Sequence, residues 1–264
     1  MMPSETSPLH RFWSAAPHYL AGRPAYSARL IERVALLCGL THAHRVMDLG
    51  CGPGPLAVAF APLVAEVVAI DPEPAMLEAG VQHAERAGVR VHFLRGSSHD
   101  LGAQLGLFRL ATIGRAFHWM DRARTLESLD ARIEPAGAVA LFADRHTDTR
   151  ENAWREPYRE LLERYQADDA GRAERKSPHW PAHESVLLDS PFNRLERIGV
   201  IERRATPVEV FVERAFSLSS TAPGRLGSKA GELAERVRDV MAAHASDGRV
   251  TEVIETEALI GRRA

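Results

Sequence analysis

The chain has 264 residues, 45% hydrophobic and 26% charged, an ordinary globular balance that suits one large domain or one domain with a sizeable insertion. Its 33 basic and 35 acidic residues give a formal net charge of −2, which excludes a global field pulling it onto nucleic acid or an acidic membrane. Two cysteines (Cys38 and Cys51) form no CxxC pair or disulfide framework, MMPSETSPLHRFW has no basic-then-apolar signal, and no apolar run nears the roughly 20 residues of a membrane helix, so a soluble cytoplasmic protein is expected.

In chain order, SARLIERVALLCGL (27–40) reads as an amphipathic helix with Leu30, Ile31, Val34 and Leu37 inward. From residue 44 to about 143, short apolar strands alternate with helices. The strands are expected at 45–49, 67–70, 91–94, 107–113 and 138–142, and the helices at 55–64, 73–87 and 121–132. Gly88 is placed to cap the second helix, and EPAGAV to turn into the fifth strand. Such alternation implies a parallel sheet with helices on both faces. Beyond it, 151–168 reads as a helix bearing Trp154, Tyr158 and Tyr165, and 168–185 as a polar, breaker-rich connection. FNRLERIGVIERR (192–204) and TPVEVFVER (206–214) read as strands, 229–245 as a helix and 250–263 as a last strand.

The chemistry gathers at RVMDLGCGPGPLA (45–57), where an apolar strand runs into Asp48 and then Gly50, Gly52 and Gly54, alternating with Cys51 and Pro53. A glycine loop between strand and helix lets backbone N–H groups approach a ligand closely. A dinucleotide fold expects GxGxxG, whereas here the spacing is GxGxG, followed by Pro55. A carboxylate at Asp48 repels a pyrophosphate and suits a ligand whose near end is an ammonium group. Asp71 ends the second strand in VVAIDPEPAML, where a carboxylate can accept from both hydroxyls of a ribose. NAD and S-adenosylmethionine share that ribose; Asp48 favours the second.

DLGCGPG, AIDPEPAML, FLRGSSHDLG and LATIGRAFHWMDRARTLESLDARIEPAGAVALF, taken in order, resemble the motifs of class I S-adenosylmethionine-dependent methyltransferases. The likeness is nearest to a small-molecule branch with an A/S-F-H-W-M/F-D segment after the fourth strand, and it covers roughly residues 15–145. The resemblance implies an α/β, Rossmann-like, seven-stranded, mostly parallel sheet with an antiparallel edge strand and a helical insertion or lid. It implies a cap over the cofactor at 1–40, a cofactor-binding core at 41–145, the insertion at 146–190 and the C-terminal part of the sheet at 191–264. Strands near 195–203 and 250–259 would form the edge pair.

Carried onto this sequence, the resemblance places Asp48, Gly50, Cys51 and Gly52 around the methionine moiety and has Gly54 admit the helix. Asp71 would hold the ribose, with Pro72 and Met76 beside the adenine. Ser97 and Ser98 stand where the family most often has an acidic residue and an alanine. Ala116, Phe117 and His118 would line the methyl donor's side of the cleft, and Tyr19 and Arg23 would reach the cofactor from HYLAGRPAYS (18–27). The implied activity is methyl transfer from S-adenosyl-L-methionine to a small molecule, in a monomer or homodimer, with no nucleic-acid or membrane partner. Two alternatives stay open: cyclisation of the cofactor to azetidine-2-carboxylate, and a non-catalytic cofactor-binding protein.

Simpler readings accompany several residues. Asp71, standing before Pro72, can be a helix N-cap. His118 can act as general base or pack in an FHW cluster, and Asp121 most simply caps the helix after it. His179 and His183 in SPHWPAHES have no carboxylate–cysteine set nearby and Pro181 between them, so no metal site is expected.

Overall fold

The computed structural model describes residues 13–166, 177 and 179–264. Most of the connection expected at 168–185, and the opening residues through Phe12, lie outside them.

The strands are β1 (Arg45–Leu49), β2 (Glu66–Asp71), β3 (His92–Arg95), β4 (Phe108–Gly114), β5 (Ile133–His146), β6 (Arg194–Pro207), β7 (Ala245–Ser246) and β8 (Arg249–Arg262). They form one sheet in the order β3-β2-β1-β4-β5-β8-β6, with the two-residue β7 antiparallel to β8. The β1–β2, β2–β3, β1–β4 and β4–β5 pairs are parallel. This is the expected α/β, Rossmann-like sheet, with seven strands along its path. The chain moves outward from β1 to β3, then returns to the other side of β1 to place β4, so strand order reverses between β1 and β4. Ligands bind outside the carboxyl ends of the strands at such a point.

The chain forms two compact units. One comprises, of the described residues, 26–143, 177, 179–200 and 256–264; the other comprises 13–25, 144–166 and 201–255. In the first, successive strand residues feed opposite faces of the sheet. Val46, Val67, Leu110 and Ala140 pack with Leu30, Ile31 and Val34 of helix Ala28–Leu37 and with Phe60. Met47, Val68, Ile113 and Val139 pack on the other side with Leu126 and Leu129 of helix Arg122–Asp130, and with Leu187 and Phe192. Burial on both faces explains why these strands read as continuous apolar runs. Each fully buried large side chain contributes about 1.5–3 kcal/mol.

The second unit is largely helical. Trp154, Tyr158, Leu161 and Leu162 meet Phe211, Val212 and Ala215, together with Leu233, Val237 and Met241. Here one expectation is corrected: TPVEVFVER is not a strand, because Val208–Phe216 is a helix whose buried apolar residues 211, 212 and 215 share one side. Alternating Val208, Val210 and Val212 imitates a strand, but Pro207 ends β6 and the apolar face has helical spacing. Nearby, a Cβ on Gly22 would come within 2.4 Å of the Glu213 backbone, so glycine there permits helix Ala16–Gly22 to close on Val208–Phe216.

Candidate active site

The glycine loop follows β1. Gly50, Gly52 and Gly54 have φ of +67°, +54° and +69°, a left-handed region that glycine enters without steric cost. The amides of Gly50 and Cys51 both donate to Ile70 O, at 2.8 and 3.1 Å, which ties the loop to the end of β2. A Cβ on Gly50 would lie 2.7 Å from Ala116 Cβ, so the loop passes close beneath the chain after β4. Among the described residues, a Cβ on Gly52 would meet only Met76 Sδ within 4 Å, at 3.9 Å, which leaves the space above it open.

Asp71 braces this cradle. Its Oδ2 accepts from Gly52 N at 2.8 Å and its Oδ1 from Glu73 N at 2.9 Å. Each carboxylate oxygen keeps a further lone pair, enough for a diol. Burial raises the Asp71 carboxyl above its ordinary range, against the two amides that lower it. Glu73, rather than Asp71, is the N-cap of helix Pro74–Ala87 and accepts from Ala75 N.

Asp48 points into the protein. Thr112 Oγ1 donates to its Oδ1 at 2.8 Å, and Ala57 N to its Oδ2 at 3.1 Å. It thereby joins β1, β4 and the helix after the loop. Its side chain is 1% exposed, and burial raises the carboxyl to about 7 despite both bonds. Thr112 was not picked out from the sequence; a lone hydroxyl in the apolar strand LFRLATI was its only signal. Cys51 is buried beside the loop, and burial pushes its thiol well up.

The remaining expected residues fall in different places. Met76 is buried and Pro72 exposed. Ser98 is buried, whereas Ser97 is engaged in its own turn, its hydroxyl donating to Asp100 Oδ2 at 2.7 Å. Beyond β4, Arg115 takes φ +56° and its guanidinium lies 4.4 Å from the centre of the Tyr26 ring. A non-glycine residue held left-handed is characteristic of sites where a side chain must be aimed. The chain then enters the turn Phe117–Trp119, with Phe117 buried, His118 half-buried and Trp119 against the His118 ring at 4.9 Å. Asp121 caps helix Arg122–Asp130 as expected, accepting from Arg124 N. Tyr19 and Arg23 belong to the helical unit, where Arg23 lies 5.4 Å from the Tyr19 ring and donates to Ser217 O. Among the described residues, no group of His, Cys, Asp and Glu is arranged to hold a metal ion, and no helix is long and apolar enough to cross a membrane.

A doubly wound sheet with a glycine cradle and a ribose-competent carboxylate at its switch point defines a Rossmann-like nucleoside-binding protein. A family model described as a methyltransferase domain matches residues 46–137. An uncharacterized methyltransferase of Mycobacterium tuberculosis is 27% identical over 237 residues, covering 88% of this chain and 86% of its own. A ubiquinone biosynthesis O-methyltransferase of Methylocella silvestris is 32% identical over 96 residues, 36% of this chain and 38% of its own. Among solved structures, an Anaeromyxobacter dehalogenans chain assigned as a type II methyltransferase superposes with a TM-score of 0.63 at 22% identity, over 91% of this chain and 97% of that one. Residues 46–137 thus form a methyltransferase domain, and S-adenosylmethionine is its cofactor. The open space over Gly52 and the spare lone pairs of Asp71 fit that group.

Proposed function

We propose that the protein transfers a methyl group from S-adenosylmethionine to a small molecule. The observation that carries the reading is the Gly52–Asp71 bond: one carboxylate both shapes the glycine cradle and presents ribose-binding oxygens. The near-neutral charge and the partial likeness to a ubiquinone biosynthesis O-methyltransferase support a small acceptor.

When bound, the cofactor supplies an electrophilic methyl on a sulfonium. The chain's own work is to orient and to exclude water. Gly50, Cys51 and Gly52 offer backbone to the methionine end, near Asp48, and Gly54 lets the helix follow. Asp71 holds the ribose hydroxyls, with Pro72, Met76, Ser97 and Ser98 around the adenine. Ala116 and Phe117 wall the donor side. His118 takes the acceptor's proton when the nucleophile carries one.

The test is mass spectrometry of products made from methyl-labelled cofactor with a pool of small metabolites, beside calorimetry with S-adenosylhomocysteine. Label in a small molecule and saturable binding are expected; label only in protein or RNA refutes the small-acceptor reading. His118→Ala should then lower turnover per cofactor-bound enzyme by about 10²–10⁴-fold, and a drop under about tenfold removes His118 from the chemistry.

A further inference from the structure

Arg122 directly follows the FHWMD segment, and its guanidinium is committed to one short stretch, Trp180–His183. Its Nη1 donates to Pro181 O at 2.6 Å, and its Cζ lies 4.2 Å from the centre of the Trp180 ring. The same Nη1 lies 3.4 Å from His183 Nδ1. The His183 ring stands edge-on to Phe117 at 5.2 Å between centroids. The insertion thus delivers an imidazole to the wall that Phe117 forms, and all these residues lie within the cofactor-loop unit.

A guanidinium only donates hydrogen bonds. Nδ1 of His183 must therefore accept from Arg122, and the ring proton sits on Nε2. Nε2 has no hydrogen-bond partner among the described residues. A cation donating to one ring nitrogen polarises the imidazole and strengthens the N–H on the other.

We propose that His183, fixed by Arg122, is a specificity-determining residue whose Nε2–H donates to an oxygen of the methyl acceptor, which makes the acceptor a carboxylate, carbonyl or phenolate compound rather than a simple amine. The proposal rests on the methyl-transfer reading above. Burial first and the Arg122 charge second push the His183 imidazolium below its ordinary pKa, with Glu184 pulling the other way, so the ring stays neutral and remains a donor. Arg122 is a positioning residue: it acts through His183.

Two measurements test it. Long-range proton–nitrogen NMR on histidine-labelled protein saturated with S-adenosylhomocysteine should show His183 as the neutral Nε2–H tautomer at pH 7, and Arg122→Gln should lose that fixed state. A cationic ring, or an Nδ1–H tautomer, in the wild type overturns the proposal without an acceptor being known. The second arm uses methyl-tritiated S-adenosylmethionine with a mixture of small carboxylic acids and phenols, and separately with a mixture of small amines. Label is expected in the first mixture. His183→Phe, which keeps the ring against Phe117 but removes the donor, should raise KM for that mixture about 10- to 100-fold. His183→Gln should recover most of the loss, and both variants should bind S-adenosylhomocysteine normally. Label in the amines alone, in neither mixture, or undiminished in His183→Phe overturns the proposal while cofactor binding leaves the methyltransferase reading standing. Failure to bind S-adenosylhomocysteine overturns both.

Discussion

Each unit buries a carboxylate almost completely, and the two are held by different kinds of partner. Asp48 in the cofactor-loop unit is 1% exposed, and Glu252 in the helical unit is 2% exposed. Among the described residues Asp48 is hydrogen-bonded by a hydroxyl and a backbone amide, and burial lifts it to about 7. For Glu252 burial also pushes upward, but bonds from His146 and Arg214, the Arg214 charge and the Thr206 hydroxyl outweigh it and take the group down to about 2. Arg214 reaches it with both Nη atoms, at 2.9 and 3.1 Å, and His146 Nε2 lies 2.8 Å away. Depth does not decide whether a carboxylate is ionised; the presence of a cation does. The helical unit carries a permanent ion pair, whereas the carboxylate beneath the glycine loop stays titratable near neutrality.

The hardest way to break this contrast is to remove the cation. Arg214→Met leaves Glu252 buried without its guanidinium, held by His146 and Thr206 alone, and should cost about 3–5 kcal/mol in urea unfolding, with much of the loss restored by Glu252→Gln in the same chain. A loss below about 1 kcal/mol would mean that Glu252 is not ionised. Next comes Asp71, which like Asp48 has no cation bonded to it among the described residues but is held by two amides and faces the cradle. Asp71→Ala should weaken S-adenosylhomocysteine by about 1.5–3 kcal/mol in calorimetry, because the ribose and Gly52 N both lose their acceptor. Unchanged affinity would exclude the ribose assignment.

The pH dependence sharpens the contrast because the two signs differ. Glu252 falls from its ordinary 4.5 to about 2, so its stabilisation is complete above about 4.5 and is lost as pH falls toward 2. Asp48 rises from 3.8 to about 7, so its neutral form is the favoured one and stability declines as pH rises from about 4 to about 7. Glu252→Gln should flatten the first limb and Asp48→Asn the second, as read by denaturant midpoints across pH. The smallest effect is Asp48→Asn itself at low pH, expected within about 1 kcal/mol. The new amide can donate to Thr112, whose hydroxyl can turn wholly to Met47 O, already 3.3 Å away.

Much of the cofactor half was legible because its signals are local. β1 falls at the expected residues and β2 to β4 within one residue at either end, and the expected glycine loop follows β1, its glycines all left-handed. β5 is longer than expected: EPAG lies inside Ile133–His146, where the register with β4 shifts rather than turns. What escaped the sequence is what only the assembled chain brings together. Thr112 is 64 residues from Asp48, Arg122 is 61 from His183, and His146 is 106 from Glu252. No periodicity records such pairs. Val208–Phe216 failed for a different reason: β-branched residues alternate within a helix whose burial, not composition, reveals its period.

The helical unit also sets a timetable for synthesis. His18 lies 2.7 Å from Glu213, a residue 195 positions further along, and Arg214 Nε donates to Gly22 O across a similar gap. At roughly 5–20 residues per second, translation separates such partners by roughly 10–40 s. Throughout that interval the seven-residue helix Ala16–Gly22 is too short to hold itself together. The first described segment of the chain is therefore among the last to find its place, and a lesion in it would be felt by a nascent protein only after nearly everything else had left the ribosome.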